Sequence, residues 1–276
     1  MSIKTEGSLS TKKISFETAV FTDCIMVLKD DDASGKTIAS LDFGGEDVRV
    51  INFVLIKTLY FCPMIHDAFT AKKVAELLIQ INAIKLEPKN PFTWASGWTS
   101  PIYCDNRIAL SYPTVRTYLR EEFAKQIEKH HGKPDAIAGV ATGAIGIGAL
   151  VAEKLNLPFV YIRPKPKGHG RKNQIEGVLP KNSQVVVIED LISTGKSSME
   201  AIKALRESDA SIKCLLSIFD YNFEVAQKRF EKENVSVYSL SDYNHLIELA
   251  TENRFILKSE EQMLKNWRLA PQKWKP

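Results

Sequence analysis

The sequence has few cysteines, no long apolar run and little net charge, and each lack argues against a class of protein. Its four cysteines are scattered without a CxxC pair, so neither a disulfide framework nor a paired-cysteine metal site is expected. Lys57 and Pro63 interrupt the longest apolar candidate, which falls short of the ~18 residues of a membrane span. A net charge of +4, with no helix-turn-helix pattern or basic face, predicts no binding to nucleic acid. We expect a reduced, cytoplasmic protein that binds no membrane.

From Asp67 onward the apolar residues fall at helical and strand spacings. Thr70 is the predicted cap of a first helix, and Pro113 opens a second one. A loop from Glu87 to Tyr112 lies between them. The first predicted helix has its apolar residues at Val74, Leu77, Leu78 and Ile81, and the second at Val115, Leu119, Phe123 and Ile127. A Glu121–Lys125 pair is expected on the outer face of the second helix.

The middle of the chain alternates buried strands with helices. Strands are predicted over residues 135–140, 158–163, 184–189, 212–219 and 235–240, and helices over 143–156 and 195–208. Two further helices end the chain, the last with a capping box of Ser259 and Gln262. Continuous apolar strands that alternate with helices predict an α/β fold, with a central parallel sheet flanked by helices.

The segment from Glu189 to Ser197 follows a strand and precedes a helix, where open parallel sheets bind ligands. A nucleotide P-loop would need a glycine where Asp190 stands, and this carboxylate would repel phosphates. The small residues 193–195 instead offer N–H groups and hydroxyls to a phosphate at the helix N-terminus. The adjacent acidic pair can accept hydrogen bonds from vicinal hydroxyls. The segment therefore predicts a site for ribose 5-phosphate, and an ordinary helix-capping turn is the alternative.

Two further loops leave the carboxyl ends of predicted strands. Residues Arg163–Gly177 are rich in cations and glycine. They predict a mobile basic flap that closes over an anion and excludes water, with a solvated surface loop as the alternative. Residues Gly139–Ala149 are too irregular for a dinucleotide fingerprint. Close packing of helix on sheet explains some of their glycines.

Four apolar residues, two acids, two apolar residues and Ser-Thr-Gly resemble the phosphoribosyl pyrophosphate motif of type I phosphoribosyltransferases. The resemblance implies that this donor is bound by Ala141, Thr142, Gly143, Glu189, Asp190, Leu191, Ile192, Ser193, Thr194, Gly195, Lys196 and Ser197. The flap is similar to the catalytic loop of orotate phosphoribosyltransferases, which implies catalytic roles for Arg163, Lys167 and His169. Pro164 stands where that family often has lysine, and Lys165 is expected to supply the charge.

The segment Phe92–Arg107 resembles the acceptor loop of one bacterial branch of orotate phosphoribosyltransferases, within a likeness that extends from about Ala71 to Trp274. The residues implied to lie near the substrate are Ser96, Gly97, Ser100, Tyr103, Cys104, Asp105, Arg107 and Ser193. Backbone groups around Tyr103 and Cys104 would meet the base, and Arg107 offers a fork for a carboxylate. The best-known branch has lysine at Ala95 and arginine at Asp220, so the groups that neutralise the orotate carboxylate stay open.

The resemblance implies a type I phosphoribosyltransferase fold with a small hood formed by N-terminal and C-terminal elements. The implied reaction transfers ribose 5-phosphate from phosphoribosyl pyrophosphate to orotate, giving orotidine 5′-monophosphate and pyrophosphate in pyrimidine (UMP) biosynthesis. Mg²⁺ would be held through phosphoribosyl pyrophosphate without direct protein ligands, and a homodimer is expected. The alternatives are a type I phosphoribosyltransferase for uracil or a purine, and a non-catalytic regulator that senses phosphoribosyl pyrophosphate.

Residues 1–63 differ in character from the rest of the chain. They combine an acidic run at residues 30–32, a Gly44–Gly45 pair and weak periodicity, and the family resemblance begins near Met64. No apolar core directly follows the lysines of the first residues, so no secretory signal is expected. We predict an extension over residues 1–63, either disordered or added by an upstream start codon, and a phosphoribosyltransferase domain over residues 64–276.

Overall fold

The structure is a computed structural model of the chain. It describes residues 65–94, 97–165 and 174–274, together with the backbone of four short stretches nearer the N-terminus. The chain forms two compact units, Met1–Cys62 and Pro63–Pro276.

The described backbone of the first unit forms one β-sheet. Its strands are β1 (Lys4–Thr5), β2 (Ile25–Asp31), β3 (Lys36–Asp42) and β4 (Asp47–Ile51). They are ordered β1-β2-β3-β4, with β1 parallel to β2 and the other pairs antiparallel. The sequence predicted no regular structure here, although its Asp/Ser/Gly-rich and Gly-Gly segments are typical of turns between strands. The assignment of residues 1–63 as an extension outside the phosphoribosyltransferase domain stays a prediction.

The second unit alternates helices with strands. Its described helices are α1 (Ala68–Gln80), α2 (Pro113–Gln126), α3 (Ala144–Leu155), α4 (Lys196–Glu207), α5 (Glu224–Lys232), α6 (Tyr243–Glu252) and α7 (Lys258–Leu269). Its described strands are β5 (Ile84–Leu86), β6 (Phe92–Thr93), β7 (Thr99–Ser100), β8 (Ile102–Cys104), β9 (Ala136–Val140), β10 (Phe159–Ile162), β11 (Ile175–Glu176), β12 (Gln184–Ile192), β13 (Ser211–Asp220) and β14 (Val237–Asp242). Short 3₁₀ helices cover Asn106–Ser111 and Pro271–Lys273, and a π-helical turn covers Ile127–His131.

The central sheet has six strands in the order β11-β10-β9-β12-β13-β14. All neighbours are parallel except β11, which pairs antiparallel with β10. Successive side chains of β12 point to opposite faces. Val186 and Ile188 join the core cluster that includes α1, α2 and α3, and Val185 and Val187 join the one that includes α4 and α5. The predicted parallel sheet with helices on both faces is confirmed.

The helices differ from the sequence prediction in three details: two N-terminal caps and one ion pair. The carboxylate of Asp67, not Thr70, caps α1, because it accepts hydrogen bonds from the backbone N–H groups of Phe69 and Thr70 at 3.2 Å each. Lys125 pairs with Glu122 (3.3 Å) rather than with Glu121.

The third difference is at α7. It starts one residue before Ser259, and its first turn is closed by the Glu260 carboxylate, which accepts from the Leu257 N–H at 2.8 Å. A capping box of Ser259 and Gln262 is therefore wrong. Helix α5 and the short strands β5 to β8 were also missed. These strands have only two or three residues, which are too few for a periodic pattern.

N-terminal and C-terminal elements of the second unit meet beside the sheet. The hairpin pairs β5–β8 and β6–β7 lie near α7, where the indole N–H of Trp267 donates to the carbonyl of Thr99 at 3.2 Å. The Trp94 ring packs edge-on against Trp267 with centroids 5.8 Å apart. These contacts form the small hood that was predicted. Among the described helices none is both long and apolar enough to cross a membrane.

Candidate active site

A cleft of about 410 Å³ opens at the carboxyl ends of β9 and β12. It is lined by Cys104, Asp105, Arg107, Val140, Ala141, Thr142, Gly143, Glu189, Asp190, Leu191 and Ser197. The sequence had singled out every one of these residues except Val140 as a site residue. The fold therefore brings the predicted donor segment, the predicted pyrophosphate turn and the predicted acceptor loop to one place.

The donor segment is more regular than predicted. Strand β12 continues past Glu189 to Ile192, because β13 keeps pairing with it as far as Asp220. The turn into α4 depends on Gly195, which has φ +68 and whose Cβ would lie 2.8 Å from the Phe230 ring. No side chain caps α4, so its first N–H groups can serve an anion.

Both acids of the motif line the cleft, but they have different partners. Glu189 is 3% exposed, and its carboxylate accepts a hydrogen bond from the Ser198 hydroxyl of α4 at 2.7 Å. Burial first, and then the Asp190 charge, raise the pKa of Glu189. Asp190 lies on the α3 side, and burial raises the pKa of its carboxyl as well. Asp190 is therefore the more exposed of the two acids, while Glu189 lines the cleft and is also bonded to α4.

The turn from Ala141 to Gly143 joins β9 to α3 and runs directly past Asp190. A Cβ at Gly143 would overlap the Asp190 carboxylate, so this approach requires glycine. The Ala141–Thr142 peptide bond is cis. Other glycines of the region serve packing, as predicted, since a Cβ at Gly148 would lie 2.9 Å from the Phe159 ring.

The acceptor loop is ordered by β8 and a serine. Ser100 is buried, and its hydroxyl donates to the carbonyl of Ile102 at 2.8 Å. Ser100 therefore shapes the loop. Tyr103 is 42% exposed, with its ring centroid 5.6 Å from that of Phe92. Burial raises the pKa of the Cys104 thiol, which keeps it protonated as a donor.

Arg107, the predicted fork for a carboxylate, is already engaged. Its Nε and Nη2 donate to the two Asp105 oxygens at 2.7 and 2.8 Å, and this bond lowers the pKa of Asp105. The Arg107 side chain is 59% exposed. A ligand carboxylate would therefore use the remaining Arg107 donors or displace Asp105.

The base of the flap is closed by a short hairpin. The backbone N–H of Arg163 donates to the Gln174 carbonyl at 2.9 Å, and the Gln174 amide donates to the Arg163 carbonyl at 2.8 Å. The Arg163 guanidinium lies 3.4 Å from Glu176. Lys167 and His169 lie outside the described residues, as do Ala95 and Ser96.

Several predicted donor residues do not line the cleft. Ile192 is fully buried in the core that faces α4. Lys196 lines a different groove, between α4 and α5, where its ammonium lies 3.9 Å from Glu200. Ser193 and Thr194 are half-buried in the turn and do not line the cleft.

Asp220, which stands where the best-known branch has arginine, is a buried acid. It is 1% exposed, and burial raises its pKa to about 8. Its carboxylate accepts from the Asn222 backbone N–H at 2.7 Å. It therefore offers no positive charge to a ligand.

Sequence reasoning missed Asn106. Its side chain is 2% exposed, and Nδ2 donates to the carbonyl of Asp190 at 2.7 Å. An asparagine between Asp105 and Arg107 resembles an ordinary turn residue, so no local signal distinguished it.

Comparisons with known proteins agree on one family. Residues 118–246 match the model of the phosphoribosyl transferase domain. The orotate phosphoribosyltransferase of Porphyromonas gingivalis is 49% identical over 203 residues, which are 74% of this chain and 97% of that protein. That of Staphylococcus saprophyticus is 47% identical over 72% of this chain and 98% of its own length. The crystal structure of orotate phosphoribosyltransferase from Aeropyrum pernix superimposes with a TM-score of 0.57 at 28% identity, over 63% of this chain and 96% of that one.

Proposed function

Because the chain belongs to the orotate phosphoribosyltransferase family, we propose that its cleft binds phosphoribosyl pyrophosphate between Asp190 and the turn Ala141–Gly143, with orotate beside Tyr103 and Cys104. The family is a transferase family of pyrimidine synthesis, and its reaction gives orotidine 5′-monophosphate and pyrophosphate. The observation that carries the proposed placement is the cleft itself, which draws three separate segments of the chain together.

The donor half of this proposal uses both charge and backbone. The Asp190 carboxylate accepts hydrogen bonds from the ribose hydroxyls and places negative charge beside the ring, where positive charge develops in the transition state. The N–H groups that open α4, together with Ser197, hold the 5′-phosphate, because a helix N-terminus favours an anion. Glu189, which also lines the cleft, is proposed to hold the ribose together with Asp190, and its bond with Ser198 fixes its position.

The leaving pyrophosphate is stabilised by positive charge and by the exclusion of water from the cleft. The turn Ala141–Gly143 offers backbone N–H groups to it, and Arg163, Lys167 and His169 are proposed to close over it as the flap folds down. Mg²⁺ fits here because a hard cation prefers oxygen ligands, which the diphosphate and ribose supply beside Asp190. When bound, it neutralises charge on the leaving group.

The acceptor half holds orotate through backbone groups of Tyr103 and Cys104, with Arg107 and Ser193 as further donors. The orotate nitrogen attacks C1 of the ribose as the bond to pyrophosphate breaks, and no nucleophilic side chain is required. Positioning of the two substrates therefore dominates. We further propose that the enzyme acts as a homodimer in the cytoplasm.

The test is orotate consumption, followed by its ultraviolet absorbance, with and without phosphoribosyl pyrophosphate and Mg²⁺. We expect loss of orotate only when both are present, and pyrophosphate in equal amount. Uracil, adenine and hypoxanthine are run in parallel as acceptors. Turnover of one of these bases at a rate equal to or above that of orotate would contradict the proposal.

A further inference from the structure

The buried amide of Asn106 connects the two halves of the cleft. Its Nδ2 donates to the backbone carbonyl of Asp190 at 2.7 Å, and its Oδ1 accepts from the Cys104 thiol at 3.2 Å. Asp190 belongs to the donor strand β12, and Cys104 ends the acceptor strand β8. One side chain therefore bonds to a residue of each half.

The chemistry of its partners fixes the orientation of this amide. The Asp190 carbonyl can only accept a hydrogen bond, so it requires the amide nitrogen. The Cys104 thiol stays protonated because burial and the nearby Asp190 charge raise its pKa, so it donates to the amide oxygen. A rotated amide would place two oxygens against each other. Both bonds therefore hold one rotamer, shielded from water since Asn106 is 2% exposed.

The neighbouring polar side chains do not hydrogen-bond across the cleft in this way. Asp105 and Arg107 bond to each other, and Arg107 interacts with Asp190 through its charge, which counters the effect of burial on the pKa of Asp190. The register of β9 with β12 ends at Gly139 and Ile188, two residues before Asp190. At Asp190, therefore, β12 extends beyond the part that pairs with β9, and there its carbonyl accepts from Asn106 instead.

We propose that Asn106 is a positioning residue, which sets the separation and angle between bound orotate and the ribose held at Asp190. This inference rests on the proposed function, because it takes the two halves as the orotate and donor sites. Asn106 touches neither substrate. It acts on the rate because a misplacement of about 1 Å between reactants can cost about 100-fold.

The test uses Asn106→Ala, which removes both bonds, and Asn106→Asp, which keeps an acceptor for Cys104 and loses the donor to Asp190. We expect kcat to fall about 30- to 100-fold in both variants. The Kd of each substrate alone, measured by calorimetry, should change less than about threefold. A purely structural role would instead lower the melting temperature or weaken both substrates at unchanged kcat, and that result overturns the proposal.

The matched control is Ser239→Ala, which removes a fully buried hydroxyl bonded to Ser217 at 2.7 Å, away from the cleft. It should lower the melting temperature and leave kcat unchanged. If neither Asn106 variant folds, Cys104→Ala and Cys104→Ser decide the matter. Alanine should lower kcat several-fold and serine, which still donates, should restore it; equal rates overturn the proposal.

The same experiment separates failure of this inference from failure of the proposed function. If wild-type protein turns over another base in place of orotate, the acceptor is wrong, and the Asn106 variants are compared on that base. A wild-type kcat that survives both Asn106 substitutions on the accepted base overturns only the positioning role.

Discussion

The donor half of the cleft and its acceptor half are built by different means. The donor half consists of Asp190, the Ala141–Gly143 turn and the start of α4, all at the ends of strands in the central sheet. The acceptor half consists of residues 97–107, which form short hairpin strands and a 3₁₀ helix beside the sheet. The geometry of the donor half is set by the backbone hydrogen bonds between parallel strands. The second depends on individual side-chain bonds, such as those of Ser100 and Asn106.

This difference teaches where each half is vulnerable. In the donor half a single added methyl group meets rigid neighbours, as at Gly143 beside the Asp190 carboxylate. In the acceptor half the polar groups can exchange partners, as Arg107 can between Asp105 and a ligand. Substitutions in the donor half should therefore cost more activity than those in the acceptor half.

The largest effect is expected for Asp190→Asn. Removing the carboxylate takes away negative charge beside the developing ribose cation, so kcat/KM for phosphoribosyl pyrophosphate should fall on the order of 1,000-fold. Asp209→Asn is the control, since Asp209 is exposed, pairs with Lys181 and has a positive φ that asparagine tolerates. Steady-state kinetics at saturating orotate measure both; unchanged kinetics for Asp190→Asn would remove its assignment to the ribose.

A smaller loss is expected for Gly143→Ala. The new Cβ overlaps the Asp190 carboxylate and displaces either the acid or the turn, so kcat/KM for the donor should drop about 100-fold. Gly146→Ala in the same helix is the matched control, because its Cβ meets only the methyl end of Leu110. Equal kinetic losses in the two variants would show that the effect belongs to α3 and not to Asp190.

In the acceptor half, Arg107→Gln should raise the KM for orotate about 10-fold, the scale of one charge-assisted hydrogen bond. Asp105→Asn should act in the opposite direction, since it weakens the competitor for the guanidinium. A modest decrease in the orotate KM is expected. An increase of the orotate KM in both variants would indicate that the intact ion pair binds the substrate. The acceptor half would then depend on a fixed geometry, as the donor half does.

Asp220 offers a test through stability instead of rate. Its pKa is raised to about 8, so between pH ~4 and ~8 the folded chain binds a proton that the unfolded chain has lost. The free energy of unfolding therefore falls as pH rises through this window. Asp220→Asn removes this ionisation. The stability of the variant relative to wild type should therefore increase between pH 5 and pH 8.5, by on the order of 4 kcal/mol.

Denaturant unfolding at the two pH values measures this difference. A pH-independent difference for Asp220→Asn would mean that the carboxyl ionises normally. In that case Asp220 could take part in the acceptor half as a charged group.

The smallest effect is expected from removing residues 1–63. The relatives align with 203 residues of this chain and nearly their whole length, and the first unit forms its own sheet. We predict kcat and both KM values within about twofold of the full chain, because both halves of the cleft lie in the second unit. A larger loss, measured in the same assay, would contradict the prediction that these residues are an extension.

Local patterns were sufficient for the donor half because its chemistry is contiguous in the chain. A buried strand, two acids and Ser-Thr-Gly predicted the turn at Gly195, and alternating strands and helices predicted the parallel sheet. The same patterns could not predict that Glu189 bonds to Ser198 of α4 while the Asp190 carboxylate lies against Gly143. These partners depend on which segments pack against the end of β12.

The sequence alone thus predicted the donor motif and the α/β architecture, because each depends on short-range spacing, and the resemblance of its motifs implied the family. Tertiary structure decided what depends on distant partners: the pairing of Arg107 with Asp105, the burial of Asp220, the turning of Lys196 away from the cleft and the link through Asn106. A hydrogen bond between residues 84 positions apart leaves no periodic signal in the sequence. It exists only after the sheet has brought Asn106 and Asp190 together.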